Sequence, residues 1–204
     1  MTRPHSYKDF LFSLPERCQR YLPAAFSGDP EAASSVVNSA PNEQRGHIVR
    51  AFFELGIPTK AFREALISAW DHDHVFLFEA LGSNRRSFNK VFRYADFEKS
   101  HLPSRFTIYR GGYGEFFDQA WGISWTRNRD CACWFAMRRA NPKAAPIVLR
   151  REVTRRGVLA HVDTRNEDEI IVAGVSHTFV DGEPADWRQG YKRYETQKQE
   201  EQAV

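Results

Sequence analysis

Three short motifs in the second half of the chain carry residue types that could do chemistry together. Arg110 precedes two glycines, Ser124 opens a Ser-Trp-Thr run, and Glu167 and Glu169 stand two positions apart before an apolar stretch. The arginine fork suits paired contacts with oxygen atoms, and a serine hydroxyl supplies one donor and two acceptors. Adjacent carboxylates repel each other, so they need a cationic partner or a functional role. These motifs therefore mark a candidate site.

Short β-strands are predicted to hold these residues. The predicted strands cover Phe106 to Arg110, Gly122 to Thr126, Pro146 to Val153, Val158 to Val162, Glu169 to Val172 and His177 to Val180. Side chains alternate along a strand, so Ser124 and Thr126 are expected on one face and Trp125 on the other. By the same rule Glu167 and Glu169 project together. One helix, from about Asp130 to Arg139, interrupts the strands.

The first hundred residues are predicted to be helical. Asp29 and Pro30 form an N-cap and first helical position, and Gly56 closes a helix that begins near Asn42. We therefore expect a helical N-terminal region at 1–100 and a β-rich core at 101–190. The polar tail at 191–204 has no apolar stripe and is expected to be disordered.

In this order and on predicted strands, the motifs resemble those of the mono-ADP-ribosyltransferases of the arginine-serine-glutamate class. In that family an arginine ends the first core strand, a Ser-x-Thr opens a second, and a Glu-x-Glu precedes an apolar strand. The resemblance covers roughly residues 103–180. It implies an α+β protein in which the helical N-terminal region packs on a mixed β-sandwich of the ADP-ribosyltransferase type.

The resemblance also implies roles for the motif residues, with NAD as substrate and no metal. Glu169 matches the residue that contacts the ribose and stabilises the cation formed when nicotinamide leaves. Arg110 matches the residue that binds NAD through its phosphate and ribose oxygens, and Ser124 orients the pair. Glu167 matches the position that engages or deprotonates the acceptor. Gly111, Trp125 and Thr126 complete the expected NAD-binding set.

One feature departs from the family pattern. Only fourteen positions separate Arg110 from Ser124, whereas the larger toxins carry a longer helical excursion there. The segment Gly111 to Trp121 must act as a shortened helix or loop. The stretch Asn141 to Ala145 offers no aromatic ring to stack on nicotinamide.

Three other residue groups could suggest different chemistry. Cys131 at a helix N-terminus could pair with His161 as a nucleophile, but a buried thiol is the default. The run from Asp71 to His74 is not expected to bind metal, because its histidines fall on different helix faces. The arginine pairs are Arg138-Arg139, Arg150-Arg151 and Arg155-Arg156. Because neighbouring strand residues point to opposite faces, these six arginines are not expected to form one nucleic-acid patch.

Composition limits the class of protein, the charge of its partner and its expected location. The 204 residues carry 29 Lys plus Arg and 26 Asp plus Glu, and 42% are hydrophobic, so a folded globular chain is expected. Residues 101–165 hold 12 basic and 5 acidic side chains, so an anionic partner belongs there. No segment has the length and apolar character of a membrane helix or signal peptide, which favours a cytoplasmic location.

The function predicted from sequence is NAD-dependent mono-ADP-ribosylation of a protein or RNA acceptor. A protein acceptor is slightly favoured because of the Glu-x-Glu motif. The chain is similar to toxins of toxin and antitoxin systems, to phage enzymes and to injected effectors, so an antitoxin or inhibitor is a further expected partner. Two alternatives stay open. They are NAD glycohydrolysis, with water as acceptor, and a catalytically inactive module that binds RNA or protein.

Overall fold

The computed structural model describes residues 6–138, 144–174 and 177–202. The chain divides into two compact units, one ending at Phe97 and the other beginning at Glu98. This boundary lies close to the predicted one near residue 100. None of the described helices is both long and apolar enough to cross a lipid bilayer.

The first unit is helical throughout its described part. Its helices are α1 (Tyr7–Phe12), α2 (Glu16–Gln19), α3 (Leu22–Phe26), α4 (Pro30–Asn38), α5 (Asn42–Leu55), α6 (Thr59–Ala80) and α7 (Arg85–Ala95). The Asp29 carboxylate accepts from the Ala32 amide at 3.1 Å, and Gly56 ends α5 with φ at 65°. Both are the predicted end signals, so the helical half of the prediction is confirmed.

In its described residues, the second unit combines three α-helices with one antiparallel sheet. Its strands are β1 (Arg105–Tyr113), β2 (Ser124–Thr126), β3 (Pro146–Thr154), β4 (Val158–Val162), β5 (Glu169–Val172) and β6 (Phe179–Val180). They are ordered β4-β5-β2-β1-β3-β6, and every pairing among the described residues is antiparallel. The chain is therefore α+β, as predicted. All six described strands join one sheet.

The strand register separates the candidate residues by face. Thr126 lies opposite Glu169, and Trp125 lies opposite Ile170. Directly paired residues share a face, so Ser124, Thr126 and Glu169 are together on one side, as the alternation predicted. Trp125 packs on the other side in an apolar cluster with Ile170.

Helix α9 (Arg129–Met137) packs on the Ser124 face of the sheet, and this requires a glycine in β1. A Cβ atom at Gly111 would lie 1.7 Å from the Ala132 carbonyl oxygen. The short helix α8 (Phe116–Ala120) occupies the segment between β1 and β2. A shortened helix, one of the two outcomes expected there, is thus what the structure contains.

The C-terminal segment differs from the prediction of disorder. Helix α10 runs from Pro184 to Gln202, and Trp187 and Tyr194 are buried along it. Gly190 lies against Cys133, where an added Cβ atom would be 2.8 Å from the sulfur. The helix is ordered because this aromatic and glycine face packs on α9, a contact that the polar composition concealed.

Candidate active site

Three strands bring Arg110, Ser124 and Glu169 together. Arg110 Nη1 donates to the Ser124 carbonyl oxygen at 2.6 Å. The Ser124 hydroxyl donates to Glu169 Oε1. One residue of β2 thus connects the arginine of β1 with the first residue of β5, so the predicted trio forms one hydrogen-bonded network.

Arg110 is held by close packing as well as by its hydrogen bond. A Cβ atom at Gly122 would lie 2.3 Å from Arg110 Nε, so the absence of a side chain at Gly122 leaves room for the guanidinium. Burial lowers the pKa of Arg110, while the Glu169 carboxylate acts in the opposite direction. An arginine side chain remains charged even after such a shift. Arg110 and Glu169 therefore form a positive and a negative group in electrostatic contact.

Arg165 brings the two glutamates of the motif to the same side. Its Nη2 lies 3.0 Å from Glu167 Oε2 and 3.6 Å from Glu169 Oε2. Both carboxylates are largely buried, whereas the arginine is partly exposed. A cationic partner is one of the two expectations for this pair, and Arg165 contacts both carboxylates.

Asp168, between the two glutamates, points elsewhere and anchors the loop. Both of its carboxylate oxygens accept from Arg127 Nε, at 2.9 and 3.0 Å, and Oδ1 lies 2.7 Å from His161 Nε2. Its backbone amide donates to Asp163 Oδ1 at 2.8 Å. Asp168 has φ at 47°, a left-handed conformation that costs energy for a residue other than glycine. These bonds hold the conformation, and with it the positions of Glu167 and Glu169.

The Asp168 anchor continues to the surface through two histidines. His161 Nδ1 lies 2.8 Å from His101 Nε2, and the two ring centroids are 5.0 Å apart. Burial on its own raises the pKa of Asp168, but the hydrogen bonds from His161 and Arg127 bring it below the ordinary value. Asp168 is therefore ionised at neutral pH. His161 is already bonded on both ring nitrogens.

Glu167 has a different electrostatic environment from Asp168. Burial raises its pKa above the ordinary value, Arg165 counteracts this, and the nearby Glu169 adds to it. Lys198 of α10 and Arg138 also act on it as positive charges. A carboxylate with a raised pKa is a stronger proton acceptor when ionised, which is the property of a general base.

Thr126 connects two segments of the site. Its hydroxyl donates to the Glu167 carbonyl oxygen at 2.7 Å and accepts from the Asn128 amide at 2.9 Å. Asn128 caps α9 by accepting from the Asp130 and Cys131 amides. The threonine thus joins the start of α9 to the glutamate loop.

Two of the predicted NAD-binding residues lie apart from this network. Trp125 is buried on the opposite face, where its indole donates to the Gly122 carbonyl and its ring lies 4.0 Å from the Arg151 guanidinium carbon. Gly111 faces α9. The Cys131 thiol is fully buried, and burial raises its pKa to about 12, so it is a neutral thiol at physiological pH.

Several residues of the site were not selected from the sequence. They are Arg127, His161 and Asp168 in the anchor, and Arg165, Arg138 and Lys198 around Glu167. A cation four positions before Glu169 was a readable signal for Arg165. Lys198 had no such signal, because α10 reaches the loop by tertiary contacts, among them the hydrogen bond from the Tyr194 hydroxyl to the Asn166 carbonyl oxygen at 3.1 Å. Among the described residues, no group of three or more His, Cys, Asp or Glu side chains is arranged to bind a metal ion.

The comparisons with known proteins add no relatives. No protein-family model, no curated protein and no solved structure matches the chain.

Proposed function

We propose that this protein is an NAD-dependent mono-ADP-ribosyltransferase that modifies a macromolecule. The observation that carries the proposal is the network in which Arg110 bonds the Ser124 carbonyl and Ser124 bonds Glu169. Strands β1, β2 and β5 supply these residues in the order of the arginine-serine-glutamate motif. The proposal includes assignment of the sheet to the ADP-ribosyltransferase type of β-sandwich.

The charges of the network suit the reaction. Breaking the bond between ribose and nicotinamide leaves the electron pair on nicotinamide and positive charge on the sugar. A buried carboxylate fixed by a hydrogen bond stabilises such a charge without reorganising, and Glu169 meets this description. Arg110 supplies the opposite charge for the phosphates of NAD. Among the described residues, its Nε has no hydrogen-bond partner and is buried beside Gly122.

Glu167 is proposed to receive the acceptor's proton. The acceptor forms a bond to the ribose carbon that nicotinamide leaves, and its proton moves to a base. Glu167 faces the same side as Glu169, because both contact Arg165. Its raised pKa suits this role. Arg165 holds Glu167 near Glu169, and its positive charge is shared between the two carboxylates.

The biological setting is proposed from the same resemblance. A cytoplasmic transferase of a toxin and antitoxin system, a phage or an injected effector fits it, and an antitoxin or inhibitor is the proposed protein partner.

The test uses NAD labelled on the adenylate phosphate, with a cell lysate as the source of acceptors. We expect nicotinamide release together with label retained on a macromolecule. Arg110→Lys keeps the charge but removes the fork, so its affinity for NAD is expected to fall with little loss of melting temperature. Arg93→Lys, an exposed arginine of α7, is the matched control.

Three outcomes decide between the candidate functions. Nicotinamide release without retained label indicates NAD glycohydrolysis and contradicts transfer. No nicotinamide release under any condition contradicts an NAD-dependent enzyme. Normal NAD binding by a folded Arg110→Lys protein would make Arg110 a structural residue.

A further inference from the structure

A concave region lies on the sheet, apart from Arg110, Ser124 and Glu169. Its cavity of about 420 Å³ opens over β1, β3 and the edge strand β6. We call it the β3 groove. Its lining includes Arg105, Thr107, Arg150, Glu152, His177 and Phe179. The candidate active site does not account for this groove.

The β3 groove lies on the sheet face of Ser124, Thr126 and Glu169. The register places Glu169 opposite Thr126, Thr126 opposite Tyr109, Tyr109 opposite Arg150, and Arg150 opposite Phe179. These five residues form one row across five strands. Neighbouring strands are about 4.8 Å apart, so the row from Glu169 to Phe179 is about 19 Å long. Tyr109 at the centre of the row packs against Ala132 and Cys133 of α9 and Trp187 of α10, so a polymer bound in the groove would pass around this cluster to reach Glu169.

Two arginines of the β3 groove are available to an anion. The Arg105 side chain is 70% exposed and its only close carboxylate, among the described residues, is the equally exposed Glu152 at 3.6 Å. The Arg150 side chain is 53% exposed and lies 3.4 Å from Asp181, which also binds Arg129. Exposed ion pairs of this kind contribute little, so phosphate oxygens can compete for both guanidinium groups.

The β3 groove also presents an aromatic ring. Phe179 is 58% exposed, although it lies on a strand, and the Arg150 guanidinium carbon is 5.8 Å from its centroid. An exposed ring beside backbone-binding cations is the combination that binds unpaired nucleic-acid bases. The core of a protein interface is instead depleted of charge. The chemistry of this groove thus favours a single strand over a peptide.

The spacing of the cations fits such a strand. Arg150 lies opposite Tyr109, four residues from Arg105 along β1, which separates the two arginines by about 14 Å. A single strand of a few nucleotides can span this distance. Thr107 and Glu152, which lie opposite each other between them, offer a hydroxyl and a carboxylate to ribose 2′-hydroxyls.

We propose that the β3 groove binds single-stranded RNA, with a base stacked on Phe179 and phosphates on Arg105 and Arg150. The inference deepens the proposed function, on which it rests, by naming RNA as the acceptor class. Arg151 also belongs to the lining, but it is buried and its guanidinium lies over the Trp125 ring.

The binding experiment needs no NAD and so does not depend on catalysis. A fluorescent RNA of about twelve nucleotides is titrated with the full chain, and anisotropy is measured at about 50 and 200 mM salt. We expect binding that weakens steeply with salt. Phe179→Ala and Arg105→Gln should each weaken it at least fivefold. Phe12→Ala and Arg93→Gln, exposed residues of the first unit, are the matched controls and should leave binding unchanged.

Each outcome bears on one claim. Absence of binding at low salt by the folded protein overturns the inference, as does binding that neither groove variant weakens. Equal affinity for DNA of the same sequence overturns the assignment to RNA. In the labelled lysate, label destroyed by ribonuclease supports RNA as acceptor, and label destroyed only by protease overturns it. RNA binding without nicotinamide release would support the groove as an RNA-binding site and contradict the proposed transferase activity.

Discussion

The two units of the chain bury different kinds of side chain. In the first unit the largest buried side chains are apolar, among them Phe52, Phe62 and Phe88. The buried polar and charged residues among those described, Thr126, Arg151 and Glu169, all belong to the second unit. Burying a charge costs stability unless partners compensate for it, whereas burying a phenyl ring provides stability. The second unit therefore buries charged residues where the first unit buries phenyl rings.

The largest effect is expected from a substitution in the apolar core of the first unit. Phe62 is fully buried and packs edge-on against Tyr94, with ring centroids 5.0 Å apart. Phe62→Ala should lower the free energy of unfolding by about 3–5 kcal/mol, measured by urea denaturation. Phe12→Ala, at a ring that is 50% exposed, should cost less than about 1 kcal/mol. Nicotinamide release per folded molecule should not change, and a loss of it would contradict this division between the two units.

The polar side of the comparison is tested next by Glu167. With this residue as base, transfer to the acceptor should rise with pH through its raised pKa, above the ordinary 4.5, because only the ionised form takes a proton. Glu167→Gln should remove this rise and lower transfer by about 100-fold. Nicotinamide release into water serves as the internal control and should change far less. Equal loss of both reactions would assign Glu167 to NAD cleavage instead.

Asp168→Asn tests whether the anchor holds the glutamate loop. Loss of the charged partner of Arg127 and His161 should reduce the free energy of unfolding at neutral pH by about 2 kcal/mol. The folded-state pKa of Asp168 is depressed, so its contribution exists above the unfolded value and disappears as pH falls from 3.8 through the folded value. The variant should therefore show a weaker loss of stability over that range. Asp118→Asn, on the exposed side of α8, is the control, and an identical acid profile in wild type and Asp168→Asn would contradict the anchor.

The smallest effect is expected at α10. Lys198 is a positive charge that lowers the pKa of Glu167, so Lys198→Met should raise that pKa further. The pH of half-maximal transfer should move upward by a few tenths of a unit. Lys192→Met, an exposed lysine of the same helix, should leave it in place. A downward shift would show that Lys198 does not act on Glu167.

What could be predicted from sequence follows the range of the interactions. The bounds of β4 and β5 were predicted correctly because alternation and apolar runs are local signals. Convergence of Arg110, Ser124 and Glu169 came from motif order. The anchor of Asp168 was missed because Arg127 and His161 reach it from two other segments. The helix α10 was not predicted, because Trp187, Gly190 and Tyr194 are widely spaced in a polar segment. Their packing on α9 is a tertiary contact that this local pattern does not show.

The positions of the arginine pairs were likewise predictable only where they depend on local alternation. Alternation correctly separated Arg150 from Arg151, since one is exposed and the other is buried. It did not show that Arg105 would lie on the face of Arg150, because that depends on the register between β1 and β3. Arg139, of the pair Arg138-Arg139, lies outside the described residues. Register between distant strands is the information that one sequence lacks.

The central claim is that the buried carboxylate of Glu169 stabilises the positive charge that forms when NAD is cleaved. The direct measurement is the rate of nicotinamide release at saturating NAD by Glu169→Gln beside wild type, with Glu54→Gln, an exposed glutamate of α5, as the matched control. Glutamine keeps the shape of the side chain and can still accept from Ser124, so the melting temperature should change little. The account predicts a fall of at least 100-fold, or about 3 kcal/mol, for Glu169→Gln alone. A folded Glu169→Gln protein that releases nicotinamide at the wild-type rate would contradict the account.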